Sequence, residues 1–371
     1  MKTKLSLDIT NKICDNVYKI YGGITNVIIV VAKKVHIDNW KQEIDKWGIN
    51  TDNVDIICYE SLKNYKKRTF DVIILDECHH MSEVRREILS TMHINEILIG
   101  LSATISSELI EWFSYKYDTK LISTSLQEAI DNKVLPIPTI YLIPLYFDGE
   151  VTECIYKYVK KDTQVIQECN WYNRWNYLKH KIPVRIYCNK QQYLQDLNGN
   201  IEWLKKRSMR NEAIKNKWLR LCNDRLKWLS DKKEPYILSL LDHFKNHRTL
   251  TFCSTIEQTE KLGKNCIHSK NKESDEILEK FNNKKIKHIT SCQMLNEGMN
   301  LIDCRIGIYA NINSSERINK QKFGRLLRHK HPIIIIPYYA NTREEEIVKE
   351  ITEDYDKNLI KVVKDFKDIV L

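Results

Sequence analysis

Short aliphatic runs recur along the chain, separated by polar stretches of helical character. Val27 to Ala32, Val54 to Cys58, Asp71 to Leu75 and Ile97 to Leu101 form one set. Thr249 to Cys253, Lys287 to Ser291, Arg305 to Ala310 and Pro332 to Pro337 form another. A strand with one wet face alternates apolar and polar residues, whereas an unbroken β-branched run needs cover on both faces. Parallel sheets are built from such runs, because each crossover between parallel strands lays a helix over a face. The pattern predicts two α/β domains with parallel sheets, over residues 1–145 and 236–371. Residues 146–235 lack these runs and read as a basic helical insertion. Leu135-Pro136-Ile137-Pro138 and Ile143-Pro144 read as an extended exit from the first domain.

The chain has 371 residues, 42% of them hydrophobic and 29% charged, which suits two folded domains and excludes a disordered composition. Its longest aliphatic runs fall far short of the ~18 residues of a membrane span. The first residues, Met1 to Ser6, carry no apolar stretch followed by a cleavage site, so a cytosolic location is expected. Eleven cysteines, without any Cys-x-x-Cys pair, read as buried, reduced thiols rather than a disulfide framework or zinc cluster. The abundance of Asn, Lys and Ile suggests an AT-rich genome, such as that of a phage or mobile element. The net charge is +10, and residues 151–235 hold 19 basic against 9 acidic side chains, so this segment carries the whole excess.

Chemistry concentrates at Phe70-Asp71-Val72-Ile73-Ile74-Leu75-Asp76-Glu77-Cys78-His79-His80, an aliphatic strand that ends in two carboxylates and two imidazoles. Open parallel sheets bind ligands at the carboxyl ends of their strands. There Asp76 would hold Mg²⁺ through its waters, since that ion prefers oxygen ligands and keeps part of its hydration shell. Glu77 would orient and deprotonate an attacking water. Two histidines beside an acid could instead form a metal site, and many strands simply end in acidic loop residues.

Three later segments sharpen this choice: Gly100-Leu101-Ser102-Ala103-Thr104, Leu295-Asn296-Glu297-Gly298-Met299-Asn300, and Gln321-Lys322-Phe323-Gly324-Arg325-Leu326-Leu327-Arg328. With Asp76-Glu77-Cys78-His79-His80 they resemble, in order, motifs II, III, V and VI of the superfamily 2 helicases of the DEXH-box type. Val27 to Ala32 with Trp40 and Glu43 resembles motif Ia, Tyr59-Glu60-Ser61 the next strand end, and Thr251-Phe252-Cys253-Ser254 motif IV. The resemblance implies two RecA-like domains facing a cleft, ATP and Mg²⁺ as cofactors, and nucleic acid as partner, DNA favoured over RNA. It implies that Asp76 holds Mg²⁺, that Glu77 is the base, and that Arg325 and Arg328 neutralise the γ-phosphate. Gln321 lies on the same helix face as those arginines, at i, i+4 and i+7. Ser102 and Thr104 would couple hydrolysis to domain movement, Glu297, Gly298 and Asn300 would sense ribose or backbone, and Ser254 would meet nucleic acid.

Lys2 and Thr3 precede Leu5, Leu7, Ile9, Ile13 and Val17, the pattern of the helix that follows a phosphate-binding loop. They match the final Lys and Thr of that motif, Lys2 on phosphate and Thr3 on phosphate and metal, but the glycines before them are missing. Either the start lies inside a longer reading frame or the phosphate cradle is lost. Without the cradle, ATP is expected to bind weakly, because Lys2 alone offers a mobile point charge. In the basic segment, Lys205, Lys206, Arg207 and Arg210 are expected to meet phosphates, while spacing Trp203, Met209, Ile214, Trp218, Leu221, Leu226 and Leu229 reads as a helical core. The expected activity is ATP hydrolysis coupled to translocation or strand separation on nucleic acid. The alternative is a nucleic-acid-binding protein of helicase fold without turnover.

Overall fold

A computed structural model describes residues 2–208, 211–292, 301, 303–312, 326, 329–353 and 355–371. The described residues fall into two units, 2–124 and 125–371.

In the first unit, β1 (Val27–Val31), β2 (Val54–Cys58), β3 (Thr69–Asp76) and β4 (His93–Leu101) form a parallel sheet in the order β2-β1-β3-β4. Successive side chains of a strand point to opposite faces, so an unbroken aliphatic run supplies two cores at once. Ile28, Val30, Ile73 and Leu75 pack with Tyr59, Leu62, Leu89 and Phe113 on one side. Val27, Ile29, Val31, Val72 and Ile74 pack with Leu7, Cys14 and Trp40 on the other. Helices α1 (Lys2–Tyr21) and α2 (Lys34–Trp47) supply the second face, and α3 (Glu83–Ser90) and α4 (Ser107–Tyr117) the first.

The second unit opens with α5 (Leu126–Asp131) and β5 (Thr139–Leu145). Its main sheet also contains β9 (Thr249–Cys253), β10 (Cys266–Ile267), β11 (His288–Cys292), β12 (Ile306–Tyr309), β13 (Ile333–Tyr339) and β14 (Ile360–Val362). Among the described residues it runs β10-β11-β9-β12-β13-β5-β14, every pair parallel. Helices α9 (Ile256–Leu262), α10 (Ser274–Asn282) and α11 (Arg343–Thr352) connect these strands. The boundary expected at residue 145 is corrected here: β5 sits between β13 and β14, with Ile140 opposite both Ile334 and Ile360. Composition cannot assign such a run, because pairing between strands distant in sequence decides which sheet it joins. Ile143-Pro144 is accordingly part of this strand and not an exit.

The segment between the two halves of that sheet is also corrected. It contains a small sheet of β6 (Glu153–Lys157), β7 (Gln167–Asn170) and β8 (Val184–Cys188), in the order β6-β8-β7, before any long helix. Its strands alternate, as in Val184-Arg185-Ile186-Tyr187-Cys188, so a search for unbroken runs passes over them. After the short α6 (Trp175–Leu178) come α7 (Lys190–Ser208) and α8 (Glu212–His243). Helix α8 passes through the expected boundary at 235 and packs Ile237, Leu240 and Phe244, at its end, on the main sheet.

One buried ion pair fastens α8 to the sheet. Lys233 is fully buried, its Nζ lies 2.6 Å from Glu344 Oε1, and Glu344 Oε2 accepts the Tyr339 amide at 2.9 Å. Removing one partner of a buried pair leaves the other charge uncompensated. Lys233→Met should therefore destabilise the second unit by about 3 to 5 kcal/mol in urea unfolding, and adding Glu344→Gln should restore most of the loss.

Candidate nucleotide and nucleic-acid site

All four strands of the first sheet are parallel, so their carboxyl ends share one edge. Register places Asp76 opposite Leu101, so Ser102 follows the strand end beside the acidic pair. The chain then turns sharply, because Glu77 adopts the left-handed conformation, φ 51° and ψ 54°. For a side chain other than glycine this costs roughly 1 to 2 kcal/mol, so the surroundings must hold it. Three contacts do so. Trp40 Nε1 donates to Asp76 Oδ2 at 2.9 Å, and the Tyr59 hydroxyl donates to the Asp76 carbonyl at 3.0 Å. The Cys78 side chain is buried against Gly100, where an added Cβ would lie 3.3 Å from Cys78 Sγ.

His79 joins the acidic turn to the next strand. Its Nδ1 lies 2.9 Å from Ser102 Oγ and 3.2 Å from Glu77 Oε2. Ser102 Oγ donates its one proton to the Thr104 carbonyl at 2.5 Å. Ser102 Oγ, its proton committed to Thr104, is then an acceptor toward His79 Nδ1–H. His79, Ser102 and the Thr104 carbonyl are thus one hydrogen-bonded set, with the Glu77 carboxylate beside the imidazole. Burial pushes the Tyr59 phenol well above its usual pKa, so it stays a proton donor at any working pH. Arg85 stands 5.1 Å from the Tyr59 ring centre and donates to the His80 carbonyl at 2.8 Å.

Asp76 and Glu77 are half-buried hard-oxygen donors at a sheet edge, which fits a Mg²⁺ held largely through water. Among the described residues no three His, Cys, Asp or Glu side chains gather as a metal-ligand set. Thr3 lies in the first turn of α1, and its carbonyl accepts from Ser6 Oγ at 3.0 Å. Lys2 begins that helix, but its side chain lies outside the described residues, as do Glu297, Gly298, Asn300, Gln321, Arg325, Arg328 and Arg210. Ser254 follows β9, and its buried Oγ has no hydrogen-bond partner among the described residues.

Helix α7 buries Leu194, Leu197, Ile201 and Leu204 and leaves Lys205, Lys206 and Arg207 exposed. The tryptophan expectation fails in part. Trp171 is buried, but Trp203 is 55% exposed, with the Arg207 guanidinium 3.7 Å from its ring centre. A break between α7 and α8 resets the helical phase, so a period counted across residues 201–229 loses its meaning. The sequence reading also named no role for His79, Trp40 or Tyr59 in the acidic turn. Their signal was proximity to strand ends, and only the fold shows which of them touch Asp76 and Ser102.

The indole contact makes a direct test. Trp40→Phe keeps an apolar ring and removes a hydrogen bond to a carboxylate, so it should lower the stability of the first unit by about 1.5 to 3 kcal/mol. In a double-mutant cycle with Asp76→Asn the two losses should couple, read by denaturant unfolding.

Residues 232–330 match the helicase conserved C-terminal domain, and residues 29–107 match the res subunit of type III restriction enzymes. The DNA 3'-5' translocase XPB2 of Sulfurisphaera tokodaii is 22% identical over 354 residues, covering 88% of this chain and 73% of that protein. In fold, the chain resembles a fragment described as an HsdR subunit of a type I restriction enzyme from Vibrio vulnificus, with a TM-score of 0.55 and 15% identity. That match covers 99% of this chain and 63% of the fragment. The Pyrococcus furiosus Hef helicase domain matches with a TM-score of 0.51 and 13% identity over 91% of each chain. These neighbours share two RecA-like parallel-sheet domains with the present fold. A helicase C-terminal domain match in one half of the chain, a res-subunit match in the other and the likeness to a DNA translocase together support a superfamily 2 helicase.

Proposed function

We propose that this protein hydrolyses ATP to move along, or to separate, strands of nucleic acid, with DNA as the track. The observation that carries the reading is the hydrogen-bonded set of His79, Ser102 and the Thr104 carbonyl, with the Glu77 carboxylate 3.2 Å from the imidazole and Asp76 beside it. Phosphoryl transfer to water needs little covalent chemistry from a protein. It needs a positioned water, a base for its proton and compensation of phosphate charge. Glu77, held in place by its left-handed backbone, takes the water's proton. Asp76, fixed by Trp40 and Tyr59, keeps its carboxylate at the sheet edge to hold the hydration shell of Mg²⁺. Bound Mg²⁺ supplies charge neutralisation on the phosphates. Lys2 and Thr3 act on phosphate and metal, and Gln321, Arg325 and Arg328 act on the γ-phosphate. Glu297, Gly298 and Asn300 sense ribose or backbone.

Coupling follows from the same set. A change in the proton held by Glu77 alters the carboxylate facing His79 Nδ1, and the imidazole passes that change to Ser102 on the neighbouring strand end. Nucleic acid is contacted through Ser254, Asn300 and the basic face of α7. The choice of DNA rests on the likeness to a DNA translocase.

In a form of the protein that turns over ATP, Glu77→Gln should abolish hydrolysis, by a factor of roughly 10² to 10⁴, and leave nucleotide binding intact. Unchanged turnover would refute the assignment. For the basic face, replacing Lys205, Lys206, Arg207 and Arg210 by Ala should weaken binding to every sequence alike. Each lost phosphate contact should reduce the log-log salt slope by about 0.7 to 0.9, measured by titration across salt concentrations. A constant slope would assign these side chains to a solvated face.

A further inference from the structure

The small sheet inside the second unit presents an unusual outer face. Alternation sends Ile155, Val184, Ile186 and Cys188 inward, where they pack with Trp171 and Tyr193. Register then fixes what lies outward: Tyr156 is opposite Arg185, Arg185 is opposite Glu168, and Tyr187 lies between Cys154 and Asn170. Tyr156 is 53% exposed, and the Arg185 side chain 37%. The Arg185 guanidinium stands 5.6 Å from the Tyr156 ring centre and 5.0 Å from that of Tyr187. An arginine is thus set between two tyrosines on adjacent strands of an open sheet face.

Charge around this face has one sign. From Tyr156 to Cys188 the chain holds seven basic and two acidic side chains. Strand β6 ends, and β7 and β8 begin, at the same end of the sheet, since Lys157 and Gln167 both lie opposite Val184. The segments joining these strands carry Lys160, Lys161, Lys179 and Lys181, all exposed and none in an ion pair among the described residues. Tyr158 and Lys181, at that same end, both have left-handed backbone, φ 58° and 54°. Flat aromatic faces with lysines beside them suit a polymer that alternates planar rings with anionic links.

We propose that the outer face of this sheet binds single-stranded nucleic acid, with bases stacked on Tyr156 and Tyr187, Arg185 held between them, and phosphates led along Lys160, Lys161, Lys179 and Lys181. The proposal rests on the reading of this chain as a nucleic-acid motor and adds a place and a strand form to it. Tyr156 and Tyr187 are diagonal neighbours across two strands, ~7 to 8 Å apart by sheet geometry, so each can take its own base. Stacking needs an unpaired base and ignores its identity, because every base has a π face. A duplex keeps its bases stacked inside and offers only phosphates. Glu168 is the one carboxylate on this face, and it accepts the Tyr187 hydroxyl at 3.0 Å.

The test uses the whole chain and fluorescein-labelled oligothymidylate, with a duplex of equal length as the second probe and polyglutamate as competitor. Tyr156→Leu with Tyr187→Leu should weaken oligothymidylate binding about tenfold or more for each ring and leave duplex binding unchanged. Tyr156→Phe with Tyr187→Phe should keep the parent affinity. Glu168→Gln should tighten oligothymidylate binding, a gain that a damaged fold cannot give. Equal loss of both probes in the Leu variant would overturn the proposal by showing that only charge or folding was affected. Displacement by polyglutamate at equal charge would overturn it in favour of an acidic peptide site. A parent chain that binds duplex but not oligothymidylate refutes this proposal alone, whereas one that binds neither refutes the nucleic-acid reading as well.

Discussion

A parallel sheet buried on both faces has one place left for chemistry. Its sides are filled by helices, so polar groups that must meet ligand can emerge only at the strand ends. In the first unit this constraint is met by β3, whose residues from Val72 to Leu75 are fully buried before Asp76 reaches the edge. The positions of Trp40, Tyr59 and Ser102 follow from it, because each lies just beyond a strand or on the helix that covers one.

The acidic turn stores a modest strain that its neighbours offset. A left-handed Glu77 is unfavourable by itself, yet the hydrogen bonds from Trp40 and Tyr59 to Asp76 and the close fit of Cys78 on Gly100 leave it little alternative. The same turn brings Glu77 to His79 and His79 to Ser102. In the proposed function such fixing favours a carboxylate that holds a water, since a freely rotating side chain would spend most of its time misaligned.

The second unit shows how an insertion can be carried without disturbing a sheet. Strand β5 enters the main sheet, the chain leaves to form the three-stranded sheet and α7, and α8 brings it back to β9. The Lys233–Glu344 pair marks the return, fixing α8 to the end of β13 from inside the core. Stacking of Phe147 on Tyr339 and of Tyr193 on Trp228 continues the junction outward. The excess positive charge of the chain therefore sits on an inserted segment whose small sheet has a core of its own.

Much of this was legible in the residues. Unbroken runs such as Val27 to Val31 and Thr249 to Cys253 declare parallel strands, because no other common setting hides both faces of a strand. The order of the acidic, Ser-Thr and arginine motifs resembles that of the superfamily 2 helicases. Other features were closed to sequence reading. Strand β5 looks like any first-domain strand, and only long-range pairing with β13 and β14 assigns it to the second sheet. The exposure of Trp203 depends on where α7 stops. His79 as the link between Glu77 and Ser102 depends on the register of β3 against β4, and the facing of Tyr156, Arg185 and Tyr187 on that of β6 against β8. Local periodicity fixes which way a side chain points on its own strand or helix, and what it meets there is set by neighbours far away in the chain.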